Sequence, residues 1–201
     1  GLSQHFPAHT PGGVDLDKLK ARLITADGIL LSAPVYFGDR SSVAHDFIEM
    51  VRADTDLQKS LEGKVYAGIS VGAKRNGGQE TTLIYQLLDF TAIGMLGVGN
   101  DSETTSQYGG TAHAGDVGTV AQDTYGLDTS VGAGKRIGHV ASLLKRAEEG
   151  KLTGALRVQV WLLQDANGFA HKEVEQVVSM LESITEPKVE VTVLDLTESE
   201  I

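Results

Sequence analysis

Two glycine-terminated loops carry the residue types best suited to holding a flat, electron-rich ligand. Residues 69–82 read ISVGAKRNGGQETT. In this stretch Gly72, Gly77 and Gly78 permit positive φ and a close approach of backbone to ligand. Residues 34–38 read PVYFG, where adjacent Tyr36 and Phe37 can lay a ring and a backbone amide against a heterocycle, or else cap the core. The candidate contacts are Pro34, Val35, Tyr36, Phe37 and Gly38 on the first loop, and Ser70, Val71, Gly72, Ala73, Asn76, Gly77 and Gly78 on the second. Lys74 and Arg75 could offset negative charge on a ligand, or be ordinary exposed loop cations.

Other reactive side chains form no pattern of their own. The polar stretch 100–126 offers Tyr108, His113 and Asp116 as candidate contacts, each weighed against simple surface exposure. His5 and His9 stand alone in a proline- and glycine-rich segment, where solvated histidine is the usual case and metal is not expected. The chain has no cysteine, hence no disulfide, thiolate metal site or thiol nucleophile, which suits the cytoplasm. No nucleophile triad and no paired-carboxylate signature appears, so no catalytic side chain is assigned.

The formal net charge of −10 argues against a nucleic-acid surface, and no basic run offsets it locally. No apolar run is long enough to span a membrane. At 201 residues the chain is expected to form one domain with a sizeable core. The opening Gly-Leu-Ser suggests a processing or cloning boundary at residue 1.

The elements that must position the two loops follow from hydrophobic pattern. Lys64–Val71 is a nearly unbroken apolar run, as expected of a strand buried on both faces of a parallel sheet. Gln79–Ala92 is a helix with Leu83, Leu87, Leu88 and Thr91 as its spaced positions. The turn between them lies at the carboxyl end of a strand, the edge where open α/β sheets bind ligands. Further strands are expected at Ile29–Ala33, Ile93–Val98, Leu156–Leu163 and Val189–Leu194. Further helices are expected from Asp15 to Thr25, Ser42 to Val51, Leu127 to Glu149 and His171 to Ile184. In the long one, Val131, Ile137, Val140, Ala141 and Leu144 are the expected inward positions.

The strand-then-APVYFG segment, the strand-then-SVGAKRNGGQETT segment and the tail QDTYGLDTSVGAGKRIGHVASLL together resemble the flavodoxin-like NAD(P)H-dependent FMN reductases, with the multimeric flavodoxins and iron–sulfur flavoproteins as the nearest branches. The resemblance spans roughly residues 15–148 in family order. It implies a flavodoxin-like α/β three-layer sandwich with five parallel strands in the order 2-1-3-4-5, FMN as cofactor and NAD(P)H as co-substrate. It also implies a small-molecule acceptor and a homodimer or homotetramer. Without cysteine, no iron–sulfur cluster is implied.

The order of parts departs from the family. The family's first strand, phosphate loop, first helix and second strand match residues 155–201, after the linker 150–154, so the chain looks like a circular permutant. A fragment of a tandem array, with 155–201 completing a neighbouring molecule, is the rival account. The resemblance places the phosphate contacts on Asn167, Gly168, Phe169 and His171. That loop has no hydroxyl, and Asp165 would repel a dianion, whereas backbone N–H groups and a protonated His171 would hold it. Two functions stay open: an FMN-dependent oxidoreductase or electron carrier, and a binding or assembly module with a weakened cofactor site.

Overall fold

The computed structural model describes residues 15–101, 103, 107–116, 118–150, 154–162, 169–185 and 188–195. Expectations for His5, His9, Asp165, Asn167 and Gly168 fall outside them, and of Phe169 and His171 only the backbone is described. The chain divides into two compact units, residues 1–146 and 147–201.

In the first unit, helix α1 (Leu16–Thr25) begins at Asp15, whose carboxylate accepts the Lys18 N–H at 3.1 Å and caps the helix start. Strand β1 (Gly28–Tyr36) follows, turning back into the two-residue β2 (Asp39–Arg40). Ser41 caps α2 (Ser42–Ala53), and Asp54 caps a short α3 (Thr55–Leu61). Then come β3 (Val65–Gly72), α4 (Gln79–Ala92), β4 (Leu96–Gly97), β5 (Gly110–His113), a 3-10 turn at Thr119–Gln122, and α5 (Thr124–Glu149).

β1 and β3 are parallel, from Gly28 opposite Val65 to Pro34 opposite Val71. Along the other edge of β3, β4 pairs with Val65–Tyr66 and β5 with Ile69–Gly72, both parallel. One sheet face meets Leu23, Ile48, Val51, Leu57, Leu61, Phe90 and Met95, which with Ile29 and Tyr66 form the main core. The Tyr66 ring stacks on Phe90 at 4.2 Å between centroids, and its hydroxyl donates to Gln86 Oε1 at 2.9 Å. On the opposite face α5 lies close: a Cβ on Gly28 would fall 3.3 Å from Ile137, and one on Gly110 would fall 2.8 Å from Ser130. Helices therefore cover both faces, as a sheet with a largely parallel core requires.

The α/β class is as expected, but the sheet differs in detail from five parallel strands in one series. The expected strand Ile93–Val98 is reduced to Leu96–Gly97, and the same edge resumes at Gly110–His113 within a stretch expected to be loop. Apart from Val98 and Tyr108, residues 98–109 are polar or glycine, a composition with weak strand propensity. β2 adds an antiparallel pair, because β1 runs on through Pro34–Tyr36 instead of ending at Ala33.

Two helical faces match expectation in part: Leu83 and Leu87 of α4 and Ile137, Val140, Ala141 and Leu144 of α5 are buried or partly buried, whereas Leu88, Thr91 and Val131 are exposed. The buried positions of α4 are Gln79, Thr82, Leu83, Gln86 and Phe90, while Leu88 is 59% exposed. Gly68 and Gly72 of β3 leave space for these side chains: a Cβ on Gly68 would lie 2.8 Å from Leu83 Cδ2 and 3.1 Å from Gln86 Oε1, and one on Gly72 would lie 2.7 Å from Gln79 Nε2. In α5 the buried residues are Gly126, Thr129, Gly132 and Ala133, and Val131 points outward.

The second unit is a β–α–β segment. β6 (Leu156–Leu162) and β7 (Val189–Asp195) pair in parallel over their whole length, with α6 (Phe169–Glu182) between them in sequence.

Candidate functional site

The PVYFG segment is a tight hairpin. Val35 pairs with Arg40 and Tyr36 with Asp39, so only Phe37 and Gly38 turn the chain, both at positive φ, 53° and 82°. Two successive positive φ values are what a type I′ hairpin needs, and a bulky residue at the first is strained. The strain coincides with display, since Phe37 is fully exposed and Tyr36 is 60% exposed.

Below the turn, Asp39 accepts the Arg40 N–H at 2.7 Å and lies 3.1 Å from His45 Nε2. Partial burial pushes the Asp39 carboxyl up, but the Arg40 N–H, His45 and the Arg40 charge outweigh it and hold it below its ordinary range. Arg40 is itself buried to one-tenth exposure and paired with Asp89 of α4 at 2.5 Å. The hairpin is thus pinned to α4 by a largely desolvated ion pair.

The glycine-rich loop is held from inside. Gln79, 3% exposed, accepts the Gly77 N–H at 2.8 Å and donates to Lys74 O at 2.6 Å and Ala112 O at 3.1 Å. Alongside, Ala114 N donates to Gly72 O at 2.8 Å and Gly115 N to Ala73 O at 3.2 Å. Gly78 has φ 100°, and a Cβ there would lie 2.8 Å from Gly38 Cα and 3.2 Å from Val35 Cγ1. The two loops therefore meet, and only a residue without a side chain fits the junction. Asn76 and Ala73 are exposed on the rim. Ser70 is fully buried in β3 between Ala33 and Thr111, and its Oγ has no hydrogen-bond partner among the described residues, so its side chain is not exposed to a ligand.

Arg75 is not a free loop cation. Its guanidinium donates to Thr111 O at 3.1 Å, contacts His113 Nδ1 at 2.9 Å, pairs with Asp123 and lies over the Tyr125 ring at 5.1 Å. Asp123, 5% exposed, also accepts the His113 N–H at 2.8 Å and the Gly126 N–H at 3.1 Å. Burial raises the Asp123 carboxyl, but the His113 and Gly126 N–H groups, the His113 ring and Arg75 together bring it down to about 2. Lys74 remains exposed.

Of the expected polar contacts on residues 100–126, His113 joins this cluster. Tyr108 sits just before β5 at 39% exposure, and Asp116 closes a turn with Thr119. Gln79 and Asp123 were not singled out as site residues from sequence. The signals present were a glutamine directly after Gly-Gly and an aspartate three residues before the buried Gly126, where it caps α5. Among the described residues no group of three acidic, histidine or cysteine side chains could hold a metal ion. None of the described helices is long and apolar enough to cross a membrane.

Comparison with known proteins matches residues 2–107 to the NADPH-dependent FMN reductase family. The chain belongs to that family. An iron-sulfur flavoprotein of Methanocaldococcus jannaschii is 37% identical over 132 residues, 66% of this chain and 67% of that protein. An NAD(P)H dehydrogenase (quinone) of Archaeoglobus fulgidus is 33% identical over 119 residues, 59% of this chain and 61% of the relative. A WrbA-like flavodoxin structure from Agrobacterium tumefaciens aligns with a TM-score of 0.49 at 25% identity, covering 66% of this chain and 76% of that one. The chain thus spans about two thirds of the length of the relatives it matches.

The site fits the cofactor that the family's description names. Neither residues 34–38 nor 70–78 include an acidic side chain, and Arg75 and Lys74 are the charged groups of the loop. The Gly38–Gly78 contact brings the two loops together with no room for a Cβ between them, and the displayed rings of Tyr36 and Phe37 rise beside it. An electron-rich planar ring suits such a surface.

Proposed function

We propose that the chain is an FMN-binding, NAD(P)H-dependent oxidoreductase that passes hydride to a quinone, a flavin or a similar planar acceptor. The observation that carries this reading is the junction of the strained, aromatic 34–38 hairpin with the 72–78 loop at the carboxyl ends of β1 and β3. Membership of the NADPH-dependent FMN reductase family and the quinone dehydrogenase relative support the same reading.

When bound, FMN supplies the redox chemistry, accepting hydride from the nicotinamide and giving it to the acceptor. The chain's own task is to bind and orient. Tyr36 or Phe37 lies against the ring, while Pro34, Val35 and Gly38 form one wall of the cradle. Val71, Gly72, Ala73, Asn76, Gly77 and Gly78 form the other, with the Ser70 backbone at its base. Gln79 fixes the shape of the second wall before ligand arrives, so little ordering cost falls on binding. The Arg75 charge is balanced by Asp123, so this guanidinium orders the loop more than it attracts anions.

Residues 155–196 are assigned, on sequence, to the family's first strand, phosphate loop, first helix and second strand. The test is anaerobic mixing of the FMN-loaded chain with NADPH and, separately, NADH, followed at the flavin band near roughly 450 nm. Bleaching by either nucleotide is expected. Bleaching by dithionite but by neither nucleotide would contradict the hydride step.

A further inference from the structure

The ring of His113 is placed against one donor and one acceptor that it cannot satisfy together. Its Nδ1 is 2.9 Å from Arg75 Nη2, which can only donate, and 3.1 Å from Asp123 Oδ2, which as a carboxylate can only accept. A neutral imidazole protonated at Nε2 accepts from Arg75 and leaves Asp123 to Arg75 and to two backbone N–H groups. An imidazolium has no lone pair for Arg75. It must donate to Asp123, and it then places a second positive charge beside the guanidinium.

We propose that His113 is a proton-operated latch on the 72–78 loop, closed when its neutral Nδ1 accepts from Arg75 and opened when its protonated Nδ1 turns to Asp123. Arg75 is well chosen for such a latch. It is a loop residue whose named polar contacts, Thr111 O, His113 and Asp123, all lie outside the loop. Asp123 stays ionised throughout, because its carboxyl is held at about 2. The charged groups set against His113 are Arg75, from the loop after β3, and Asp123, from the turn before α5. Tyr125 of α5 lies over Arg75, and Asp116 follows three residues along the chain.

Opening the latch removes one of the three ties from Arg75 to residues outside the loop, leaving Thr111 O, Asp123 and the Gln79 clamp, and the loop then samples more conformations. Resting on the cofactor reading above, FMN binding to the closed loop is linked to release of a proton from His113. Affinity therefore falls as His113 takes up a proton.

The test has a ligand-free arm and a ligand arm. In the chain without cofactor, the nitrogen chemical shifts of the neutral His113 ring report its tautomer, and hydrogen exchange of the 74–77 amides reports the loop, referenced to β3 amides such as Ala67. The Nε2–H tautomer is expected at about pH 8, with 74–77 protection dropping roughly five-fold relative to β3 on going to about pH 5. A neutral Nδ1–H tautomer, or loop protection that tracks β3 throughout, would overturn the latch. In the ligand arm the Kd for FMN is expected to weaken about ten-fold over the same range. In His113→Asn, whose amide oxygen accepts from Arg75 but does not titrate, the Kd should stay flat. Equal pH dependence in both proteins would overturn the linkage. A chain that binds no FMN at any pH would contradict the proposed function, while the ligand-free arm still decides the latch.

Discussion

Gly78 and Gly38 meet so closely that a side chain on the first would press into the backbone of the second, with Cβ and Cα 2.8 Å apart. These residues lie 40 positions apart in sequence. Their contact joins the aromatic hairpin to the glycine-rich loop, and the proposed ring site depends on it. Gly78→Val introduces both the clash and a branched residue at φ 100°. It should cost about 1–3 kcal/mol of stability and abolish flavin retention while circular dichroism shows a folded chain. Undiminished flavin content in a folded Gly78→Val protein would remove the junction from the site.

Phe37 separates stability from function. Its side chain is fully exposed at φ 53°, so Phe37→Asn loses no core packing and creates Asn-Gly, the preferred pair for a type I′ turn. The variant is expected to gain about 0.5–1 kcal/mol in denaturant unfolding and to bind FMN more weakly. A loss of stability would mean that the displayed ring is needed by the fold itself.

Acid should weaken the chain through Asp123. Its folded pKa, about 2, lies below the ordinary carboxylate value of 3.8, so its contribution is present above about pH 4 and is lost as the pH falls toward 2. The loss is on the order of 2 kcal/mol. Urea midpoints measured across this window should fall in the wild type, and Asp123→Asn should be less stable at neutral pH with a shallower acid slope.

Removing one partner of the Arg40–Asp89 pair should be costly. With Arg40 10% and Asp89 18% exposed, Arg40→Ala leaves a desolvated carboxylate with only the 3.5 Å contact to Arg52 among its recorded ion pairs. A destabilisation of about 3 kcal/mol is expected by chemical denaturation. Arg40→Met with Asp89→Leu should recover most of it, since the site can be filled by apolar groups of similar size.

The parts of the fold that the sequence declared are those with one strong local signal. β1 and β3 were visible as apolar runs, and α1 and α2 through their acid and serine caps. β5 was not, because Gly-Thr-Ala-His is too short and too weak in β propensity to stand out in a polar stretch. It becomes a strand by pairing with β3, which is a tertiary effect. The face of α4 is legible only in part: Leu83 packs over Gly68 as its spacing suggests, but Gln86 beside it and Gln79 over Gly72 are buried glutamines that leucine spacing does not reveal.

The same division applies to the site. Both loops were legible from their glycines and aromatics. The tie from Arg75 to Asp123 was not, since the partners lie 48 residues apart and each has an ordinary local reading. The strain at Phe37 was hidden for a related reason: Phe-Gly does not announce a type I′ turn as Asn-Gly does.

Whether the chain holds FMN beside the Gly38–Gly78 contact can be read from an absorbance spectrum. Purified protein is mixed with FMN, passed over a desalting column and scanned, wild type beside Gly78→Val. A retained flavin band near roughly 450 nm is expected in the wild type and none in the variant. Wild-type protein that emerges without flavin at micromolar concentration would contradict it.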